Sequence, residues 1–299
     1  MNSPSQTQLR SNTSTAHSDI WQVARSYAYE GYLGALLAPR NVRDDLVVLA
    51  AFLGEMARIP FLVSEPTLGD IRLQWWRDWL AGLGAQATPT GNQLADAFGQ
   101  VIIRHHLPRD QLDALLDARG DDGYPTIQRS LSEYEAYLQA TTGSGLSLAA
   151  RICGIEATPA FNSLIANATE AVGTVVVLRR LPRHVSREQW PLPITIDRAT
   201  APLQSHTLLP DDFIDNSATE RQASIVSAIQ SARAAHRRAK SQMRAASKAE
   251  RGIILELALV EPYLRVLDDP NFDPTRQVAE ISPLAMASRV LIGKWFGRC

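Results

Sequence analysis

The sequence is poor in cysteine and has no long apolar run. Its 299 residues include two cysteines, Cys153 and Cys299, which are too few and too far apart for a disulfide framework or a cysteine-rich metal site. We therefore expect a reducing compartment. The longest apolar run, residues 46–53, is far shorter than the roughly 18 residues that a membrane-spanning helix requires, and it predicts a helix of the protein core.

An excess of charge of either sign is also missing. The formal net charge of −1 at pH 7 excludes a whole-molecule attraction to nucleic acid. The hydrophobic fraction of 45% and the charged fraction of 20% are typical of a soluble globular protein with a substantial core. Residues 1–18 are rich in Ser, Thr, Asn and Gln and have no amphipathic apolar face, so we predict a disordered tail, with a mitochondrial presequence as the alternative. The folded domain is then expected over residues 19–299.

Sustained alternation of apolar and polar residues, the mark of β-strands, is absent as well. Instead, apolar residues recur at spacings of three and four, which predicts helices. Because these segments follow one another across short turns, we predict an all-α single bundle with any ligand site between its helices. The predicted helices cover residues 20–37, 46–62, 68–83, 94–105, 112–118, 134–153, 161–181, 218–243, 253–267 and 282–296.

One stretch is too long for a simple connection between helices. Residues 182–210 contain several prolines and no helical periodicity. Irregular segments of this length are usually functional, so we predict a lid or a binding loop.

Six local patterns follow one another along the chain. They are Tyr29-Glu-Gly-Tyr-Leu-Gly-Ala-Leu-Leu-Ala-Pro39 with the following Arg43 and Phe52, Arg72-Leu-Gln-Trp-Trp-Arg77, His106-Leu-Pro108, Tyr134-Glu-Ala-Tyr137, Thr142-Gly-Ser-Gly145 and the segment from Gly173 to Arg179. In this order they resemble the squalene/phytoene synthase family from about Asp19 to Trp295. The resemblance implies an all-α fold of the isoprenoid synthase type.

In the active members of that family, two facing helices each carry aspartates four residues apart. Such carboxylates share one helix face, hold magnesium, and so assist the ionisation of a prenyl diphosphate. Here the first motif falls on Ala57, Arg58 and Phe61, and the second falls on Arg180 and His184. Pro60 lies within the first motif and should end or kink that helix. The resemblance therefore implies a non-catalytic protein with no metal and no cofactor. The alternative is a prenyl-diphosphate transferase of isoprenoid biosynthesis that uses arginine or histidine to assist ionisation.

Three further strings resemble one branch of the family, which includes the mitochondrial assembly factor for respiratory complex I. They imply an assembly or accessory role with complex I subunits or intermediates as partners. The expected location is the cytoplasm, at the inner membrane surface, or the mitochondrial matrix if the source is eukaryotic. The strings are Ala28 to Leu33, Glu55-Met-Ala57 with the following Val63 to Gly69, and Leu178-Arg179 with Pro182, His184, Ser186 and Arg187.

A group of basic residues lies where the second metal motif of the family would be. We expect these residues at the mouth of a cavity, where guanidinium groups bind the anionic end of a lipid or isoprenoid, or an acidic partner segment. The alternative is ion pairing inside the bundle with Glu55, Glu65, Asp70 or Glu188. His184 has no second histidine or cysteine at ligand spacing, so it does not indicate a metal site. The basic group is Arg179, Arg180, Arg183, His184 and Arg187, and the other ligand-binding candidates are Arg43, Glu55, Arg72, Trp76 and Tyr137.

A second set of cations recurs at spacings of three and four between Ala232 and Arg251. This pattern predicts one cationic stripe on a helix whose opposite face is mostly alanine. The stripe is either a solvated face or a surface for anionic lipid or an acidic partner. It lacks the interleaved aromatic residues of a nucleic-acid site. The cations are Arg233, Arg237, Lys240, Arg244, Lys248 and Arg251.

Overall fold

The structure is a computed structural model that describes residues 18–63, 65–84, 89–124, 129–194 and 218–296. Within these ranges every regular element is helical and no strand occurs. The helices are α1 (18–27), α2 (Tyr29–Leu36), α3 (Arg40–Arg58), α4 (Pro66–Gly82), α5 (Gln93–His105), α6 (Arg109–Asp121), α7 (Leu131–Leu138), α8 (Ser144–Ile152), α9 (Pro159–Val185), α10 (Ala218–Gln242), α11 (Lys248–Ile253), α12 (Leu257–Leu267) and α13 (Pro283–Phe296). A 3-10 turn over Ile59–Phe61 follows α3, and a π-helical segment over Gln139–Gly143 joins α7 to α8.

The helix ends follow the local chemistry of the sequence. Ser130 and Glu133 form a capping box at the start of α7, and the Thr158 hydroxyl accepts a hydrogen bond from the Phe161 amide at the start of α9. Pro60 was predicted to end its helix, and α3 does end at Arg58, with Pro60 in the 3-10 turn.

Helix α9 is the centre of the larger of two apolar clusters. Its residues Leu164, Ala168, Leu178 and Leu181 are almost completely buried. By length and composition alone α9 is long and apolar enough to cross a membrane, yet 67% of its most apolar window is buried inside the fold. The apolar surface of α9 is therefore used by the core. Helix α10 packs closely on α9 through buried small residues, namely Ala228, Ala232, Ala235 and Ala239.

A second apolar cluster joins α3, α4, α5 and α6. Phe52 of α3 stacks on Phe98 of α5 with their ring centroids 4.1 Å apart, and Trp76 of α4 meets Phe52 edge-on at 5.4 Å. Offset and edge-on aromatic pairs of this kind add specificity to the burial of apolar area. The two clusters lie on either side of the site described below.

Two sequence predictions about helix boundaries are wrong. The predicted loop over 182–210 does not begin at Pro182, because α9 continues through Pro182 to Val185 and buries Leu181 and His184 in its last turns. The part of that loop over 195–210 lies outside the described residues. The segment predicted as one helix over 20–37 is two helices, because Ala28 has non-helical backbone angles (φ −142°, ψ 51°).

The predicted cationic stripe does not lie on one helix. Helix α10 ends at Gln242, and a capping box formed by Ser247 and Glu250 starts the separate helix α11. Arg233 is also engaged, with its guanidinium 3.1 Å from Asp268 and 3.6 Å from Glu261. The stripe is therefore divided by a turn and partly neutralised.

The break between α1 and α2 rests on Gly54 of α3, and this contact gives a testable prediction. A Cβ added at Gly54 would lie 3.1 Å from the carbonyl carbon of Tyr27 and 3.2 Å from Cβ of Ala28. We expect Gly54→Ala to lower the free energy of unfolding by about 1–3 kcal/mol, because backbone must move to admit the methyl group. Urea denaturation followed by circular dichroism measures this loss.

Gly34 of α2 provides the matched control for this substitution. A Cβ at Gly34 would meet nothing within 4 Å. Gly34→Ala should therefore stabilise the helix by about 0.5–1 kcal/mol, since alanine loses less backbone entropy on folding than glycine. Equal effects of the two substitutions would show that the close approach at Gly54 is not a constraint.

Candidate functional site

A cavity of about 510 Å³ lies between the helices. Its walls are formed mainly by α2, α3, α8, α9, α12 and the π-helical segment, with further residues from α1, α6, α11 and α13. Most of the wall is apolar and contains several glycines and alanines, which leave room for a ligand. The apolar side chains at the wall include Leu46, Leu49, Leu53, Val172, Val175 and Leu259.

The charged groups at the cavity wall are mainly arginines. They come from helices that are distant in the sequence, so the fold alone brings them together. Guanidinium groups outnumber carboxylates there, and the cavity therefore favours an anion over a cation. The charged lining residues are Glu30, Arg58, Arg119, Arg179, Arg180, Arg183 and Glu256.

Arg179 is held by neighbours from other parts of the chain. Its Nη1 donates to Oε1 of Glu30 at 2.7 Å, and its Nε donates to the carbonyl oxygen of Ala279 at 3.2 Å. The hydroxyl of Tyr263 donates to the same oxygen of Glu30 at 3.0 Å, and the guanidinium of Arg179 lies over the Tyr263 ring. Burial acts to raise the pKa of Glu30, but Arg179 and these hydrogen bonds outweigh it and lower that pKa. Glu30 is therefore ionised and paired.

Two further arginines of the wall also have partners. Arg58 donates to Glu55 at 2.6 Å, and its guanidinium lies over the ring of Tyr27. Arg119 donates to Oδ2 of Asp122 at 3.0 Å. The Nε of Arg119, in contrast, is buried and has no hydrogen-bond partner among the described residues.

Arg180 and Arg183 are the arginines of the wall that remain unpaired. Neither side chain makes a hydrogen bond or an ion pair with any residue that the structure describes. Burial, followed by repulsion from Arg119, lowers the pKa of Arg180 to about 10, so its guanidinium is charged at neutral pH. These two cations are one helical turn apart on α9. Arg183 is exposed, and the charge of Asp122 acts to raise the pKa of Arg180 and so partly compensates its guanidinium.

Glu256 is the unpaired acid of the cavity. It precedes α12, and its carboxylate oxygen Oε1 lies close to Gly31 of α2. Burial and the charge of Glu30 raise the pKa of Glu256 to about 7, although Arg179 acts in the opposite direction. No hydrogen bond joins this carboxyl group to another described residue. Glu256 is therefore only partly ionised at neutral pH.

Comparison with known proteins shows the family to which this chain belongs. The family model for squalene/phytoene synthase matches residues 24–285. The chain belongs to the squalene/phytoene synthase family. Its expected all-α fold of the isoprenoid synthase type is confirmed by a likeness to the squalene synthase HpnC from Alicyclobacillus acidocaldarius, with a TM-score of 0.67 and 16% identity over 85% of this chain and 93% of that one.

The curated relatives of this chain are named as assembly factors and not as synthases. The protein "NADH dehydrogenase (ubiquinone) complex I, assembly factor 6" of Bos taurus is 28% identical over 253 residues, which cover 84% of this chain and 74% of that protein. The protein of the same name from Homo sapiens is 27% identical over 253 residues, with the same two coverages. The chain is thus similar to a synthase in fold and to assembly factors in sequence.

The family's second motif region forms a less compact cluster than the sequence predicted. Arg179, Arg180 and Arg183 line the cavity, but His184 and Arg187 do not. His184 is buried, its Nδ1 is 3.0 Å from Oε1 of Gln189, and burial lowers its pKa, so it is neutral at neutral pH. Arg187 follows the end of α9 and turns back toward the 3-10 segment, where it donates to the carbonyl oxygens of Pro60 and Val63 at 2.6 and 2.8 Å. Both side chains hold the fold together near the site.

In the first motif region, too, only some of the predicted residues line the cavity. Ala57 and Arg58 line the cavity, whereas Phe61 packs edge-on against His184 and Glu55 binds Arg58 from outside the wall. Helix α3 ends between these positions, and the 3-10 turn therefore carries Phe61 away from the cavity.

The remaining ligand-binding candidates lie away from the cavity. Arg43 donates to the carbonyl oxygen of Ala38 at 3.1 Å, and Arg72 is exposed on α4. Trp76 is buried in the aromatic stack of the second apolar cluster. Tyr137 is buried behind the wall and donates to Asp122 at 3.1 Å. None of these four residues lines the cavity.

Three charged lining residues were not among the predicted site residues. Glu30 lies inside the opening pattern of the family, but nothing in the pattern shows that it meets Arg179, which is 149 residues away. Glu256 is a single acid within the apolar run over 253–260, and an acid in such a run is a signal that the sequence does contain. Arg119 lies near the end of α6, next to the buried Ala118, and no local signal distinguishes it from the solvated charges of that helix.

Proposed function

We propose that this chain is a non-catalytic member of its family that serves as an assembly or accessory factor for respiratory complex I. The names and the sequence similarity of the curated relatives support this role. The observation that carries the non-catalytic part is the arginine lining of the cavity. Arg58 on α3 and Arg180 on α9 occupy the two helices on which the resemblance expects metal-binding aspartates.

The residues at these positions do not fit a magnesium ion. Magnesium takes oxygen ligands, usually carboxylates and water, in octahedral geometry. Ala57 and Phe61 offer no ligand, the guanidiniums of Arg58 and Arg180 repel a divalent cation, and His184 is already bonded to Gln189. Within the ranges that the structure describes, no group of three or more His, Cys, Asp or Glu side chains is placed to hold a metal. These residues therefore do not support a magnesium-assisted ionisation of a prenyl diphosphate.

The activity we propose is binding. The apolar wall accepts the chain of a lipid or isoprenoid, or an apolar partner segment, and the unpaired cations Arg180 and Arg183 hold its anionic end. A guanidinium presents several N–H donors in a fork that matches phosphate and carboxylate oxygens. In water-poor surroundings such charge-assisted hydrogen bonds contribute about 1.5–3 kcal/mol each.

We also propose that the protein works at the surface of the membrane that holds complex I, in a bacterial cytoplasm or a mitochondrial matrix. Helix α13 supports this proposal, because Leu284, Leu291 and Ile292 are exposed on it, with exposed fractions of 82%, 43% and 47%. The exposed cation Arg289 lies between them. Apolar side chains flanked by cations are typical of helices that rest on an anionic membrane surface.

A complementation experiment tests the proposed function. In a strain that lacks this gene, we expect lower NADH:quinone oxidoreductase activity and less assembled complex I, both restored by the wild-type gene. The double variant Arg180→Gln with Arg183→Gln should restore less than about a fifth of the activity, since losing both cations weakens ligand binding by tenfold or more. The measurements are membrane NADH oxidation and native gel electrophoresis.

The matched control removes two cations elsewhere. Arg237 and Arg244 are exposed and make no ion pair within the described part of the chain, so Arg237→Gln with Arg244→Gln changes the net charge equally and should complement fully. Normal respiration with altered isoprenoids in the deletion strain would overturn the proposal. Turnover of farnesyl or geranylgeranyl diphosphate with magnesium by the purified protein would establish the alternative, a prenyltransferase.

A further inference from the structure

Two arginines of the cavity wall share a single acid. Arg119 of α6 is buried and pairs with Asp122 through Nη1, but its Nε has no hydrogen-bond partner among the described residues. Arg180 of α9 lines the same cavity and makes no hydrogen bond or ion pair with a described residue. A guanidinium that is removed from water without a partner is costly, so these free donors require an explanation.

A chain of hydrogen bonds brings the two arginines to the same end of the cavity. His184 follows Arg180 by four residues on α9, so the two side chains leave the same face of that helix. Nδ1 of His184 is 3.0 Å from Oε1 of Gln189, and Nε2 of Gln189 donates to the carbonyl oxygen of Asp122 at 3.2 Å. Asp122 is also the residue whose carboxylate holds Arg119, at 3.0 Å. The face of α9 that carries Arg180 is therefore tied to the end of α6 that carries Arg119.

The electrostatics of this two-arginine cluster, which consists of Arg119, Asp122 and Arg180, agree with its geometry. Burial and then the charge of Arg119 lower the pKa of Arg180. Tyr137 and Asp122 act on that pKa in the opposite direction. Arg129 lies over the ring of Tyr137 but does not line the cavity. In the cavity, two guanidiniums thus face one carboxylate, which leaves one positive charge in excess.

The other charges of the cavity wall do not remove this excess. Glu256 is acted on by Glu30 and Arg179, and neither arginine of the two-arginine cluster is among its influences. Arg183 is exposed, so water screens its charge. The remaining charges of the wall are in ion pairs, which are Arg179 with Glu30 and Arg58 with Glu55.

The ligand that completes this cluster is a monoanion with one apolar chain. A single negative charge balances the excess cation, whereas a diphosphate brings several negative charges to a cavity whose described residues form no magnesium site. The two oxygens of a carboxylate match guanidinium donors. The cavity of about 510 Å³ lies in the lower half of the range for small-molecule sites, roughly 300–1,000 Å³, which favours one acyl chain over two.

We propose that the cavity binds a long-chain fatty acid, with its carboxylate between Arg119 and Arg180. One carboxylate oxygen accepts a hydrogen bond from Nε of Arg119, and the other accepts from the guanidinium of Arg180. The chain extends along α9 toward Val176 and Val172, which line the cavity one and two turns before Arg180. This inference rests on the binding activity proposed above and names the ligand class and a second anchor for the same cavity.

The binding experiment compares ligands that have the same decyl chain and differ in the polar end. We would titrate the full-length protein by calorimetry at neutral pH with decanoate and decanol, each below its micellar concentration. Decanoate should bind about tenfold more tightly than decanol, which is the effect expected of one charge-assisted hydrogen bond. Equal affinities would show that the cluster does not bind the carboxylate and would overturn the inference.

Further ligands separate the fatty acid from other anions. Acetate should bind at least tenfold more weakly than decanoate, because it lacks the apolar chain. Equal binding of acetate would show a site for free anions. Tighter binding of decyl phosphate or farnesyl diphosphate than of decanoate would show a phosphate site. Either result overturns the fatty acid assignment.

Substitutions test the two anchors. Arg180→Gln should weaken decanoate binding about tenfold and leave decanol binding within about twofold. Arg119→Lys keeps a cation for Asp122 but removes Nε, so it should weaken decanoate binding several-fold. Arg237→Gln, at an exposed and unpaired arginine of α10, is the matched control and should change neither ligand. Thermal melting verifies that each variant folds, and a preference for decanoate that survives in folded Arg180→Gln overturns the inference.

Failure of this inference and failure of the proposed function give different results. Arg183→Gln should weaken decanoate binding less than Arg180→Gln does, because Arg183 is exposed. The opposite order would place the anion at the cavity mouth, which overturns the site between Arg119 and Arg180 and leaves the proposed function standing. If decanoate binds as expected but the deletion strain has normal complex I, the fatty acid site is supported and the assembly role fails.

Discussion

Replacing Asp122 by alanine should destabilise the protein by about 3–5 kcal/mol, because it leaves the guanidinium of Arg119 buried without a counter-ion. The side chains of Arg119 and Asp122 are 10% and 3% exposed. Nη1 of Arg119 donates both to Oδ2 of Asp122 and to the hydroxyl oxygen of Tyr137, each at 3.0 Å, and that hydroxyl donates to Oδ2 at 3.1 Å. Removing the carboxylate therefore breaks two of these three contacts and leaves Arg119 bonded only to the Tyr137 hydroxyl within this network.

Urea denaturation of matched variants tests this expectation. Asp117 is 70% exposed and pairs with Arg77 at 3.0 Å, so Asp117→Ala should cost less than about 1 kcal/mol. Adding Arg119→Met to Asp122→Ala should recover part of the loss, because an apolar side chain replaces the isolated charge. If Asp122→Ala costs no more than Asp117→Ala, the buried network contributes little to stability.

Glu256→Gln should stabilise the protein at alkaline pH and leave its stability almost unchanged at acid pH. The pKa of Glu256 is raised from 4.5 to about 7 in the folded state, so between these values the folded chain holds a proton that the unfolded chain has lost. Stability therefore falls as the pH rises through this window, by an amount on the order of 3 kcal/mol in full. Glutamine does not titrate, and the variant lacks this fall.

The measurement is the difference in free energy of unfolding between wild type and variant at several pH values. From about pH 5 to about pH 8 this difference should grow by about 2–3 kcal/mol in favour of Glu256→Gln. Glu135→Gln, at an exposed site, should show no such growth. A difference that stays constant with pH would mean that Glu256 is compensated in the folded protein.

The two predictions differ in sign because the two carboxyl groups differ in their surroundings. Asp122 is ion-paired with Arg119, so its removal should destabilise the protein. Glu256 forms no ion pair with a described residue, so Glu256→Gln should stabilise the protein at alkaline pH.

Much of the fold was predictable because local signals determine it. The spacing of apolar residues predicted the helices that contain Phe52, Trp76 and Leu178, and Pro60 predicted the end of α3. The errors arose where tertiary contacts override local preference. Pro182 does not end α9, because the turns around it are anchored in the core, and Ala28 interrupts a periodic segment, because that break packs on Gly54.

The candidate site was predictable only where a family pattern passes through it. Arg58, Arg179, Arg180 and Arg183 were named on that basis, and all four line the cavity. Arg187 belonged to the same pattern, but it binds backbone carbonyls near Pro60 because α9 ends before it. A sequence pattern gives the order of the residues, but it does not predict where a helix ends and the chain turns.

The helical periodicity of the apolar residues is a property of the sequence by itself, and it determined the all-α fold class. Which arginines have partners was decided only by the tertiary structure. Glu30 reaches Arg179 across 149 residues, whereas Arg180, the neighbour of Arg179 in the chain, forms no ion pair within the described ranges. The physical reason is that pairing of charges depends on distances between helices, which chain order does not encode.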